Sequence, residues 1–412
     1  MKKSLFISLI GIVGLSLAGC ASPVSTVTKE EAPAAQVETV AEAPQETKTP
    51  EVTEENTSEE PAKEVTTEET GEFESIEISE KYFPDEALRL AVSDQFDEDE
   101  DGILSAEEID EAVELTIAGN YGGPSEYGTV ESLEGIEYFP NLFFMRVSFS
   151  EISEVDLSKN TKLANVIISY AKLSTLDVSV CPELEYLNCE GNDELTSLII
   201  DNPKLNSINC AKCALTEIDL SKCPMLDSFR CNYNQFTEID FSNNPELTLA
   251  YMRGNPFTKL DVSKNLKLED LGIDDTPLET IDLSANVNLR RLTCGWSSMK
   301  SLDLSNNPKL EDLQIDESKI ETIDVSNNPE LNCFSCQSGK ISKLDLTNNP
   351  NMQYLDIQFL PLKELDISNC PKLVYLVESG EKSDISDRQA WDNKEGDEEG
   401  QIQVPLNCKL IY

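Results

Sequence analysis

The chain has 412 residues and a formal charge of −46, from 78 acidic residues against 32 Lys and Arg. Phosphate backbones demand clustered basic side chains, so nucleic acid is not expected as a partner. There is no histidine, which removes the usual general base, the Ser-His and Cys-His nucleophile pairs and the commonest zinc ligand.

Residues 1–19 open with two lysines, run on as an apolar stretch too short for an ordinary transmembrane helix and close on small residues. That is the pattern of an export signal, with an uncleaved signal anchor as the alternative. Leu17-Ala18-Gly19-Cys20 resembles a bacterial lipobox. The resemblance implies that the signal is removed and that Cys20 carries a lipid. The protein is then exported and anchored to the outer face of the bacterial cell membrane, touching the membrane through that lipid only. Residues 20–75 are rich in Glu, Thr, Ala and Pro, with Phe73 their single aromatic. Too little apolar area is available there to offset chain entropy, so a disordered, self-repelling tether is expected. As a neutral coil it would span about 40–45 Å.

The folded part is expected from residue 76. Pro84 suits a first helical turn, and Leu88, Val92 and Phe96 share one helical face. The helix gives way to "DEDEDGILSAEE", which puts Asp97, Asp99 and Asp101 at loop positions 1, 3 and 5, Gly102 at 6 and Glu108 at 12. This is the EF-hand spacing. Calcium takes six to eight oxygens, and the expected ligands are these three aspartates, the Ile103 carbonyl at position 7, Ser105 at position 9 and both oxygens of Glu108. Ser105 and Glu108 also have the spacing of a capping box for the exit helix. An acidic loop without metal is the alternative; a structural Ca²⁺ is the reading favoured.

The segments around this loop are Phe83-Pro84-Asp85, Glu114-Leu115 with Ala118-Gly119, and "VESLEGIEYFPNL" from Val130 to Leu142. They resemble the N-terminal cap of the internalins, bacterial surface proteins built of leucine-rich repeats. The resemblance implies a small helical, EF-hand-like cap over residues 76–141. The internalin cap is generally described without calcium, so the intact acidic loop departs from the pattern.

From residue 142 to 379 the chain repeats. Leucine recurs every 21 residues from Leu142 to Leu373, with Met352 in one slot, over twelve turns. The fold class expected is therefore a leucine-rich repeat solenoid, β-rich, with a parallel sheet on its concave face. Each repeat has two halves that alternate apolar and polar residues, so either may be extended. The first half is assigned to the concave sheet because its leucine frame never slips. The second half gains a residue near Glu194 and loses one near Asp201, as an outer arc can tolerate. Against this assignment, the Asn/Cys position of the second half is the stricter one. Aspartates such as Asp240, Asp261 and Asp282 then form a column on the outer arc, each two residues before a Ser or Thr. Hydrogen bonds to local hydroxyls and amides explain them more simply than bound cations do.

Eleven cysteines follow Cys20. Cys189, Cys210, Cys231, Cys294 and Cys336 fall in one periodic slot, and Cys181, Cys223 and Cys370 in another, as expected of reduced, buried ladder residues. The pairs Cys210/Cys213 and Cys333/Cys336 resemble metal or redox motifs, but one member of each belongs to the ladder. Residues 380–412 are acidic and then strand-like, which fits a closing cap.

Residues flanking the buried leucines of the first half should face solvent. Four of the seven arginines fall there, Arg146, Arg230, Arg253 and Arg291, among Phe144, Tyr186 and Tyr251, with Tyr233 and Trp296 at the rim. Tyr, Trp and Arg dominate binding hot spots. As the internalin resemblance implies, the expectation is a surface protein that binds a protein or an acidic glycan through this face, in adhesion for example. The other readings are a glycan-processing enzyme using paired carboxylates such as Asp270 and Asp312, and a structural spacer.

Overall fold

In a computed structural model, the described residues are 75–119, 125–377, 402–403 and 409–411. The expected signal, Cys20 with its expected lipid, the expected tether up to residue 74 and most of the expected closing segment lie outside them. No helix among the described residues is long and apolar enough to cross a membrane.

The cap begins with β1 (Ser75–Glu77) and α1 (Glu86–Phe96), whose apolar face buries Leu88, Val92 and Phe96. Asp85, not Pro84, starts the helix. Its carboxylate accepts the Leu88 amide at 2.8 Å, and Pro84 stands just outside the first turn. β2 (Ile103–Ser105) pairs antiparallel with β1, and α2 (Ala106–Glu111) carries the expected Ser105–Glu108 capping box. β3 (Glu114–Ala118) then leaves the cap and pairs parallel with the first repeat strand, β4 (Phe144–Ser148). The cap thus ends the solenoid by supplying an edge strand, which keeps core residues from being exposed.

One parallel sheet runs through the repeats. After β4 it takes in β5 (Asn165–Ser169), β7 (Tyr186–Asn188), β9 (Ser207–Asn209), β10 (Ser228–Arg230) and β11 (Leu249–Tyr251). It continues through β12 (Asp270–Gly272), β13 (Arg291–Thr293), β14 (Asp312–Gln314), β15 (Cys333–Ser335), β16 (Tyr354–Asp356) and β18 (Tyr375–Val377). With β3 at one edge and β19 (Ile402–Gln403) at the other, it has 14 strands. All are first-half residues except the two edges, so the first-half assignment holds. The central residue of each short strand, such as Phe229, Leu271 or Leu292, is fully buried, while its neighbours face outward, as a period of two requires.

The second halves do not form a matching sheet. Among the described residues, only β6 (Thr175–Asp177) with β8 (Ser197–Ile199) and β17 (Glu364–Asp366) with β20 (Lys409–Ile411) pair there. The first pair sits where the sequence slips by one residue. Elsewhere the second half is a chain of turns held by a buried asparagine. In Asn286, for example, Nδ2 donates to the carbonyls of Val262 at 3.1 Å and Asn265 at 2.9 Å, one turn back. Cys181 and Cys370 take the same slot, with longer Sγ contacts to the carbonyls of Asn160 at 3.7 Å and Asn349 at 3.9 Å. This accounts for the strictness of the Asn/Cys position: a short side chain there gives a second donor to carbonyls that already accept a local amide, as those of Val262 and Asn265 accept the amides of Asn265 and Leu268 at 3.1 Å, and so ties each turn to the one before it.

Directly after each sheet strand the chain turns a corner with left-handed backbone, repeated every turn. Tyr170 (φ 54°), Gly191 (77°), Lys212 (54°), Tyr233 (58°), Gly254 (71°), Asp275 (54°) and Trp296 (50°) all adopt it. Left-handed geometry costs a non-glycine residue about 1–2 kcal/mol. It persists because the corner amide donates to the next turn, as Tyr233 does to the Arg253 carbonyl at 2.7 Å and Trp296 to that of Asp316 at 2.6 Å.

Candidate functional site

In the acidic loop, α1 delivers Asp97 and the capped start of α2 delivers Glu108. Ligand oxygens of Asp97, Asp99 and Glu108 lie within 4.8 Å of one another. The other expected ligands are turned to local bonds. The Asp101 carboxylate accepts the Ile103 amide at 2.7 Å, and the Ser105 hydroxyl accepts the Glu108 amide at 3.2 Å. Glu108 takes amides from Glu98 and Ser105, both at 2.8 Å. Its slight burial opposes ionisation, but these donors outweigh it and hold the carboxyl below its ordinary range. The donor set is all oxygen and strongly anionic, which suits a hard cation such as Ca²⁺.

The open side of the sheet carries the expected binding residues in columns. Phe144 and Tyr186 stand half-buried on the first column, and Arg146 is exposed two residues along from Phe144. Arg230 and Tyr251 are register partners on β10 and β11, and the guanidinium lies over the ring, 5.6 Å from its centroid. Arg253, two residues past Tyr251, turns toward the corner instead. It sits between the rings of Tyr233 (5.6 Å) and Trp296 (5.3 Å), and its buried Nε has no hydrogen-bond partner. Among the described residues, neither Arg230 nor Arg253 forms an ion pair. Lys172, Lys204, Lys267, Lys300 and Arg290 each pair with a glutamate one turn away.

Arg291 behaves differently. It bridges Asp270 at 3.5 Å and Asp312 at 3.3 Å across β12, β13 and β14. Burial raises both carboxyls above their ordinary range, and the shared guanidinium counters that rise. The two acids that a glycosidase reading would pair are thus ends of a three-member ion-pair chain, with a cation held between them.

Three positions expected to face solvent do not. Ser148, Asp316 and Asp356 are buried. The hydroxyl of Ser148 bonds that of Ser169 at 2.9 Å, and Asp316 accepts from Ser335 Oγ and the Gln337 amide, both at 2.7 Å. Asp274 is held likewise by the Thr293 hydroxyl and by the Gly295 amide at 2.9 Å, although burial still raises its carboxyl. Ser148, Asp274 and Asp316 share the last outward column, which lies against the corner, where the backbone of the next turn folds over it, whereas Asp356 lies one column in, in register with Ser335. A strict two-residue alternation misses that.

The ladder cysteines are buried and free, as expected: Cys189, Cys210, Cys231, Cys294 and Cys336 in one slot and Cys181, Cys223 and Cys370 in the other. Cys210 and Cys213 are both free. In the second CxxC pair, Cys336 is free, whereas Cys333 is disulfide-bonded.

No protein-family model matches the sequence, and no curated protein is found to be related to it. Solved structures do match. The functional domain of InlJ from Listeria monocytogenes, which includes a cysteine ladder, aligns with 27% identity and a TM-score of 0.59, covering 74% of this chain and 71% of that one. The internalin InlF from the same species aligns with 20% identity and a TM-score of 0.59, over 73% and 90%. The LRIM1/APL1C complex aligns at 19% and 0.54, over 68% and 62%. The fold of this chain is a leucine-rich repeat solenoid with 21-residue turns, similar to those of the internalins.

Proposed function

We propose that this chain is a surface-displayed binding protein, held to the membrane by a lipid on Cys20, that takes an acidic protein or glycan on the open, concave side of its sheet. The observation that carries this reading is the state of Arg230 on the open side and of Arg253 at its corner rim. In a chain of charge −46 they lie against Tyr251, Tyr233 and Trp296 without an ion pair. Asp270 and Asp274 lie near enough to feel Arg230 and Arg253 without contacting them, and a guanidinium on an aromatic surface with no carboxylate in contact suits bidentate recognition of a carboxylate or sulfate. Phe144, Arg146 and Tyr186 extend the same side toward the cap. Arg291, already shared by two aspartates, contributes shape and not free charge. The similarity to internalins, and to a leucine-rich repeat protein seen in complex with another, supports a protein-binding role.

The test is an array of proteins and glycans probed with the chain from Phe73 onward. Replacing both Arg230 and Arg253 with Ala should weaken the captured ligand at least about tenfold, equivalent to about 1.4 kcal/mol. Affinity should also fall with added salt, and the melting temperature should stay unchanged. A ligand that ignores both substitutions would remove the arginines from the site.

The acidic loop is proposed to hold a structural Ca²⁺ through Asp97, Asp99 and Glu108, with Asp101, Ile103 and Ser105 completing the shell. An ion that binds only the folded loop adds about 2.7 kcal/mol at a hundred times its Kd. Calorimetry in millimolar calcium against chelator should show the cap stabilised, and Asp101→Ala should reduce the difference. Identical melting in both conditions would refute the ion.

A further inference from the structure

Left-handed backbone favours Gly and Asn, yet three of the corners carry exposed aromatics: Tyr170, Tyr233 and Trp296, with 37%, 44% and 43% of their surface accessible. They recur every third turn. At a strand spacing of about 4.8 Å the rings stand about 14 Å apart along one edge of the solenoid. After each tyrosine the next corner is glycine, and the ring lies over it. A Cβ on Gly191 would sit 2.5 Å from Tyr170, and one on Gly254 2.6 Å from Tyr233. Each ring fills the space that a side chain at the glycine would take, and a notch lies beside it. The notch at Tyr233 is bounded by Gln235, Pro256, Asp275 and Pro277 and measures about 320 Å³; the one at Tyr170 is bounded by Lys172, Asp193 and Lys212 and measures about 310 Å³. Both are shallow and open to solvent, so a ring held there would lie on the surface.

We infer that this edge is a track for a polysaccharide bearing carboxylate groups, with Tyr233 and Trp296 as stacking platforms, Arg253 as the carboxylate anchor, and Tyr170, whose ring is itself stacked on Phe149 at 4.8 Å, as the end of the track. The inference rests on the binding role proposed above but moves the contact from the open side of the sheet to its corner edge. A sugar ring offers an apolar C–H face to an aromatic and hydroxyls to the amides and carboxylates around it. Arg253, flanked by the two platforms with a buried, unpartnered Nε and no ion pair, supplies the charge complement. The regular spacing selects a polymer. Identical units along one chain can meet equivalent notches in succession, and each engagement after the first is intramolecular.

The full chain in detergent is titrated by calorimetry with three uronic acid series: oligogalacturonates, alginate oligomers and hyaluronan fragments, from dimers to dodecamers. Neutral cello-oligosaccharides and poly-glutamate serve as controls. At least one uronate series should bind, and lengths that span about 14 Å should gain about tenfold or more over shorter ones. Tyr233→Asn and Trp296→Asn should each abolish that gain without lowering the melting temperature, because Asn tolerates the left-handed corner. Arg253→Gln should remove the preference over neutral sugars. The track is overturned if no uronate series binds at millimolar concentration, if poly-glutamate binds as well, or if the corner variants change nothing. A ligand captured on the array that responds to Arg230→Ala but not to Tyr233→Asn or Trp296→Asn would leave the sheet-face reading standing and remove the track alone.

Discussion

Two sets of aspartates run along this solenoid, and their carboxyls are shifted in opposite directions. On the turn side Asp240, Asp261 and Asp303 are exposed, and each accepts the amide of the serine two residues on, at 2.8, 2.9 and 3.0 Å. Those amides, with the serine hydroxyls, lower their pKa values despite the like charges above and below. On the sheet side Asp270, Asp274 and Asp312 are partly or largely withdrawn from water, and burial raises theirs. A local backbone donor thus settles the charge of the repeating residue within three positions of sequence. On the sheet side the outcome depends on side chains one turn away, such as Arg291 and Thr293. The scaffold side repeats because its bonds are local; the sheet side varies because its bonds come from neighbouring turns.

The most severe test of this contrast is to remove a scaffold donor. Asn286→Ala removes two buried side-chain hydrogen bonds, to the carbonyls of Val262 and Asn265, each of which keeps one backbone amide at 3.1 Å, and should cost about 1–3 kcal/mol. Urea unfolding checks it, and a loss below about 1 kcal/mol would mean that water reaches the ladder. Next in size is Arg291→Met, which leaves Asp270 and Asp312 without their shared cation. Because the site is partly exposed, about 1–2 kcal/mol should be lost at neutral pH, and the loss should shrink on acidification as the two acids take up protons. A loss that does not depend on pH would show that Arg291 acts through packing alone.

Titration separates the two sets directly. The raised carboxyls of Asp270, Asp274 and Asp312 make a contribution that is fully present below their unfolded pKa of about 3.9 and is lost as pH rises through their higher folded values. The lowered ones of Asp240 and Asp261 contribute above the unfolded value and lose that contribution as pH falls through their folded values. Carbon-detected NMR of the carboxyls should therefore place the sheet aspartates above, and the turn aspartates below, the ordinary range; one shared midpoint would erase the distinction. The smallest effect is expected from Asp261→Asn, which keeps an acceptor for the Ser263 amide and removes one charge. Its melting temperature should match that of the native protein, whereas Asp261→Ala should lie slightly below both.

The repeat, its frame and the inward leucines were legible in sequence because a solenoid's core obeys one short period, and the same periodicity identified the ladder cysteines. The capping box and the convergence of Asp97, Asp99 and Glu108 could also be read, since their contacts span only a few residues. The left-handed corner is periodic too, but aromatic, charged and glycine residues all occupy it, so no residue pattern announced it. Nor did alternation reveal that Asp316 and Asp356 are buried, that Arg291 is shared by two acids, or that Arg253 leans away from Tyr251 to lie between Tyr233 and Trp296. Trp296 is two turns on from Arg253, and sequence distance carries no information about which neighbour a long side chain chooses. The architecture and the charge of the scaffold therefore follow from the order of residues alone, because each bond there is closed within a turn or at a fixed interval. Which charges on the sheet side are held in ion pairs, and which are not, is settled in three dimensions, by packing between turns whose residues do not repeat.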